Sequence, residues 1–199
     1  TYDVSAVSEE ILSARGLEGK RYTDLRGRSP WSENDVVLIS YGDSIQKPDE
    51  APLVTLNRFV RNHLSRSVNV VHLLPFYPYS SDDGFSVIDY DAVNPELGSW
   101  DDVSELGESV QLMADLVLNH CSAKSKWFEN FLEDRAPGKG YFMEPDRSFN
   151  IAEVVRPRSS DLLQSFEDGR GKKRKVWCTF SADQVDLNYA NPEVLLEMC

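Results

Sequence analysis

Two spacings of apolar residues alternate along the first 120 positions and divide them into short helices and short strands. Residues 3 to 15, "DVSAVSEEILSAR", put Val4, Val7 and Ile11 on one helical stripe, with Asp3 as the cap and Gly16 as the stop. The polar, basic stretch "EGKRYTDLRGRSPWSEND" that follows reads as a linker or surface loop. "DVVLISYG" is too brief for a helix and apolar on both faces, which predicts a strand covered on both sides, as in a parallel sheet. In "PLVTLNRFVRNHLSR", Leu53, Leu56, Val60 and Leu64 return to helical spacing. "VNVVHLLPFYP" predicts a second buried strand, ended by Pro75 and Pro78. "SWDDVSELGESV" predicts a helix capped by Ser99, with Asp101 and Asp102 in its first turn, where the helix dipole favours negative charge. "VQLMADLVLNH" predicts a third buried strand. Strand, helix, strand, helix, strand implies βαβ crossovers and a parallel sheet.

After residue 120 the pattern breaks. Aromatics, prolines and charges alternate without a long period to about 185, as in an inserted excursion of short strands, of which "KVWCTF" is the best. "NPEVLLEM" then predicts a helix opening on Pro192. The organisation expected is a helix and linker over 1–30, three β/α units over 31–120, the excursion over 121–185, and a return toward a fourth strand over 186–199.

Composition narrows the class. With 41% hydrophobic and 27% charged residues, the 199-residue chain can bury a sizeable core. The formal charge of −12 argues against nucleic acid or an anionic membrane as a partner. The basic run "GRGKKRK" at 169 to 175 reads first as a solvated hairpin or loop and second as an anion site. Cys121, Cys178 and Cys199 lack C-x-x-C spacing, which suits reduced thiols in a cytoplasmic protein and offers no zinc signature. No loop shows an oxygen-rich spacing for calcium.

Candidate chemistry lies where strands end. In parallel β/α sheets, functional groups gather at the carboxyl ends of strands. "SYGDS" follows the first strand with Tyr41 and Asp43, "PFYPYSSDDGFSVIDY" follows the second, and Asn119-His120 closes the third. Asp82 and Asp83 precede Gly84-Phe85, where glycine permits a tight turn and close approach to a ligand. Carboxylates accept hydrogen bonds from sugar hydroxyls, and aromatic faces stack on sugar rings. The plain alternative is a Ser/Asp/Gly turn and a structural histidine. His63 and His72 read as structural, and Asp115, inside an apolar run, reads as a buried carboxylate holding neighbouring loops.

"GFSVIDY", "ELGSWDDVSEL", "DLVLNH" and "QVDLNY", in that order, resemble the motifs of the α-amylase superfamily, the family 13 glycoside hydrolases. "LLPFYPYSSDDGFSVIDY", "NHCSAKSKWF", "RPR" and "VWCTFSADQVDLN" resemble its sucrose phosphorylase branch. "WSENDVVLISY" and "SSDDGFSVIDY" are most similar to the glucosylglycerate phosphorylases within it.

The resemblance implies the N-terminal part of a (β/α)8 TIM barrel, strands one to three, with domain B inserted after strand three. It also implies a retaining phosphorylase that moves an α-glucosyl unit onto phosphate. Inorganic phosphate would be the co-substrate, with no cofactor and no metal, and a small α-glucoside the donor. By the same resemblance Asp82 holds a far hydroxyl of the glucosyl ring, Phe85 is its stacking platform, and His120 contacts the 6-hydroxyl. Phe180 and Gln184 border the acceptor, and Arg158 meets phosphate or an anionic acceptor, as a guanidinium fork suits. Asp186 is expected to be a packing residue of domain B. Val155 stands where sucrose phosphorylases carry Tyr, which favours a smaller acid such as glycerate over fructose. The nucleophile, the acid/base and the third carboxylate are expected beyond Cys199, so none of the present carboxylates is assigned to catalysis and the 199 residues alone are expected to be inactive. The alternatives are a non-catalytic sugar-binding remnant and a hydrolase of the same superfamily.

Overall fold

The computed structural model describes residues 3–14, 32–145, 150–156 and 158–199. They fall into two compact units. One holds the described residues between 32 and 117, and the other holds 3–14 together with 118–199.

In the first unit, β1 (Val37–Ser40), β2 (Val70–Leu73) and β3 (Gln111–Ala114) form a parallel sheet in the order β1-β2-β3. Leu38, Val71 and Leu112 stand opposite one another across it. Helices α2 (Pro52–Phe59) and α3 (Trp100–Ser109) supply the apolar cover on that side. Leu53 and Leu56 from the first, Val60 directly after it, Val103 and Leu106 from the second, and Val71 and Leu73 from the sheet are all buried in one core.

The ends of these helices follow from local chemistry. α2 opens on Pro52, whose missing N–H is not needed there, and runs on as a π-helical turn over Val60–Leu64. α3 begins with a reciprocal cap. The Ser99 side chain accepts from the Asp102 N–H at 3.4 Å, and the Ser99 N–H donates to Asp102 Oδ2 at 2.8 Å.

Two expectations about the sheet are corrected. Among the described residues only one face is well covered, since Ile39 is 62% exposed and Val37 and Met113 are partly exposed on the same side, although Val70 there is buried. Side chains alternate across a strand, so fixing Leu38, Val71 and Leu112 toward the helices turns their neighbours the other way. The third strand is also shorter and more exposed than "VQLMADLVLNH" suggested. It keeps its ladder only while β2 lasts, and the Leu73–Ala114 pair is the final one before Pro75.

In the second unit, α1 (Val4–Ala14) is capped by Asp3, whose Oδ1 accepts from the Ser5 N–H at 2.9 Å. The expected stop at Gly16, and most of the expected linker, lie outside the described residues. β4 (His120–Ser122) pairs antiparallel with β7 (Gln184–Asp186), and β5 (Leu163–Glu167) with β6 (Lys173–Trp177). The basic run is thus the turn and second arm of a hairpin. α4 (Lys126–Leu132), capped by Ser125, seats Phe128 and Phe131 in an aromatic core with Phe142 and Phe166. Arg174 lies with its guanidinium carbon 3.6 Å from the Phe131 ring centroid and donates to Glu144 and to the Phe131 carbonyl. α5 (Pro192–Met198) starts on Pro192 with Asn191 as its cap. Cys121 and Cys178 are buried, and burial pushes both thiols up to about 12, so they stay protonated. No helix among the described residues is long and apolar enough to cross a membrane.

Glu50, ahead of α2, accepts from both terminal nitrogens of Arg58 and from the Thr55 hydroxyl, and these bonds hold its carboxyl down at about 2. A carboxyl lowered by folding stabilises above its ordinary value and loses that contribution as pH falls toward the lowered one. Glu50→Gln is therefore expected to flatten the dependence of stability on pH between 4.5 and about 2. Urea denaturation at stepped pH reads this directly, and an unchanged slope would show that the pair contributes nothing.

Candidate functional site

The loop after β2 folds back on itself between Pro78 and Ile88. The Ile88 N–H donates to the Pro78 carbonyl at 2.7 Å, Tyr79 bridges to Val87, and the Ser80 N–H donates to the Ser86 carbonyl at 3.0 Å. At its tip is a single 3-10 turn, Asp82–Gly84, in which three successive residues have positive φ: Asp82 at 58°, Asp83 at 49° and Gly84 at 105°. Two non-glycine residues in this region side by side are costly, and such strain gathers at ligand-binding loops. Gly84 is required twice over. Its φ suits no other residue, and a Cβ there would meet the Pro75 carbonyl oxygen at 2.8 Å. The turn presents Asp82 and Asp83 to solvent and sets Phe85, half-buried, against the core of its unit.

Around this loop the first unit is acidic. The Tyr41 phenol is pushed up by burial and then by the carboxylates of Asp83, Asp82, Asp115 and Asp43. The Tyr77 phenol is raised by burial and by Asp115. Both stay protonated at neutral pH and can donate as well as accept. Asp115, read from sequence as buried, is partly exposed. Its Oδ2 lies 2.9 Å from Nε2 of His72 on the neighbouring strand, and this pairing satisfies both polar groups. The Tyr90 hydroxyl donates to the Val117 carbonyl at 2.9 Å. A cavity of about 480 Å³ opens in the same unit, lined by Tyr41, Asp43, Gln46, Tyr79, Asp83 and Glu96 among others. Such a surface, dense in acceptors and phenols, suits a neutral polyhydroxyl ligand better than an anion.

The second unit brings three of the predicted residues together. His120 does not end β3 as expected but opens β4, because β3 has already lost its partner at Ala114. It is buried, with its ring centroid 5.0 Å from that of Phe180. The guanidinium carbon of Arg158 lies 5.5 Å from the same Phe180 centroid, a cation–π distance. Gln184 sits in β7 opposite Ser122 and is 1% exposed, so it presents no open surface to an acceptor within this unit. Val155 is 98% exposed.

The reading of single motifs missed the contacts that hold these groups. Arg156 donates to the carbonyls of Thr179 (2.7 Å) and Ser160, and so anchors the segment that carries Arg158. Asp186 accepts from Asn119 and Thr179. "RPR" and "QVDLN" are the sequence signals for both.

Three parallel strands with their helices, followed by a small β excursion, match the first part of a (β/α)8 barrel with an insertion after its third strand. The chain belongs to the family of the α-amylase catalytic domain, whose sequence pattern matches residues 65–199. It is 54% identical over 172 residues to a glucosylglycerate phosphorylase of Spirochaeta thermophila, covering 86% of this chain and 29% of that protein. It is 48% identical over 194 residues to a glucosylglycerate phosphorylase of Escherichia coli K12, covering 98% and 35%. The crystal structure of sucrose 6F-phosphate phosphorylase from Thermoanaerobacter thermosaccharolyticum superposes with a TM-score of 0.72 at 28% identity, over 84% of this chain and 36% of that one. The chain thus spans about a third of the length of each.

Gly84→Ala is expected to destabilise the loop by about 1–3 kcal/mol, from the positive φ and the approach to Pro75 together. Chemical denaturation measures it, and a change within about 0.5 kcal/mol, the ordinary range for surface substitutions, would mean the turn relaxes without strain.

Proposed function

We propose that this chain supplies the glucosyl-binding wall of a retaining glycoside phosphorylase that acts on glucosylglycerate. The observation that carries this reading is identity near one half to two glucosylglycerate phosphorylases across most of the chain, against little more than a quarter to the sucrose 6F-phosphate phosphorylase. The acidic loop of Asp82 and Asp83 would accept hydrogen bonds from glucosyl hydroxyls, with Phe85 as a ring platform and His120 at the 6-hydroxyl. Arg158, over the face of Phe180, offers a cation to glycerate's carboxylate or to phosphate. The exposed Val155 leaves that side open for a small acid. An anion clamp also favours phosphate over water as the acceptor, which weighs against a hydrolase.

In this chemistry a carboxylate attacks the anomeric carbon while an acid protonates the leaving oxygen, and phosphate then takes the sugar from the covalent intermediate. The residues of this chain would bind and orient, and would not form or break the bond.

The test is phosphorolysis by the full-length protein. With phosphate present, glucose 1-phosphate is expected to form faster from glucosylglycerate than from sucrose. A preference for sucrose would overturn the acceptor reading, and release of free glucose without phosphate dependence would favour the hydrolase. The 199 residues by themselves are expected to form no glucose 1-phosphate, and its detection in that sample would show that the reacting carboxylates had been wrongly placed outside this stretch.

A further inference from the structure

One buried carboxylate gathers the residues that precede both members of the His120–Phe180 pair. Asp186 is 4% exposed in β7 and stands opposite His120 in the β4 register. Its Oδ1 accepts from Asn119 Nδ2 at 3.2 Å and from the Thr179 N–H at 3.1 Å, while its Oδ2 accepts from the Thr179 hydroxyl. The carbonyl of Thr179 accepts in turn from Arg156 at 2.7 Å. Each polar group of Thr179, the residue before Phe180, is therefore tied, and so is the side chain of Asn119, the residue before His120.

Plain packing does not ask for this arrangement. A buried carboxylate is an expensive way to fill space unless its acceptors are needed. Here three donors converge on it. An apolar residue in the same place would leave two N–H donors, Asn119 Nδ2 and the Thr179 N–H, without their acceptor.

We propose that Asp186 is the positioning residue of this site. Through Thr179 and Asn119 it holds Phe180 and His120 in contact, and through Thr179 and Arg156 it steadies the segment that carries Arg158. The geometry stands by itself, whereas its consequence for glucosyl transfer rests on the function proposed above.

The test uses the full-length protein with 13C-labelled histidine, the His120 ring signals being assigned by His120→Gln. Phe180→Leu gives the shift of His120 without its aromatic neighbour. Thr179→Val, which keeps shape and removes one hydroxyl, and Asp186→Leu, which removes both acceptors, are each expected to move the His120 signals toward the Phe180→Leu position. Thr179→Ser, which keeps the hydroxyl, is expected to restore them. kcat/KM for phosphorolysis of glucosylglycerate should follow, falling about 10- to 100-fold in the first two variants and recovering in Thr179→Ser.

Unmoved His120 signals in Thr179→Val would overturn the proposal whatever the activity, and that variant decides if Asp186→Leu does not fold. Parent signals identical to those of Phe180→Leu would overturn it too, since no ring contact would exist. Moved signals with unchanged kcat/KM would support the positioning role and instead overturn the placement of this pair at the glucosyl site.

Discussion

The packing of α2 and α3 onto one side of a three-stranded parallel sheet is the constraint on which the first unit depends. Leu53, Leu56, Val60, Val103 and Leu106 are buried there against Val71 and Leu73, and each such side chain contributes on the order of 1.5–3 kcal/mol when fully removed from water. That contact sets which residues of each strand face inward. With the register fixed, the three strands end at the same level, and the segments that follow them emerge together. Tyr41, Tyr77 and Asp115 meet at this edge because Leu38, Val71 and Leu112 are aligned a few residues earlier.

The two units present different electrostatics. In the first, carboxylates crowd a protonated phenol, and the loop at Asp82–Gly84 accepts backbone strain to expose two of them. In the second, a guanidinium rests over an aromatic ring and a buried carboxylate takes its hydrogen bonds from neutral donors. An acceptor-rich surface and a cation over an aromatic face thus lie on separate pieces of chain, each stabilised by its own core.

Much of this was legible in the residues, for identifiable reasons. Helix starts could be read because their signals are local: Asp3 and Ser99 bond within three residues of themselves, and Pro192 opens α5. The first two strands of the parallel sheet could be read because their β-branched runs stop shortly before Gly42 and Pro75. The length of the third strand could not, because a strand lasts only as long as its partner, and β2 ends for reasons written forty residues earlier at Pro75. For the same reason His120 was placed on the wrong strand. His72–Asp115 and Asn119–Asp186 are contacts across the fold, and no spacing rule within either segment reveals them. Asp186 shows the difference best. The motif marked it as packing, but the bonds it accepts give it a more specific place.

The open side of the sheet has a meaning for synthesis. Ile39 and Met113 face away from both helices, and residues from β1 to β3 leave the ribosome over several seconds at ordinary elongation rates. Throughout that interval an apolar surface with a free strand edge is on offer to any neighbour, including another nascent copy. The fold thus needs protection on one side before it is finished, and that need is set by the same alternation of side chains that builds its core.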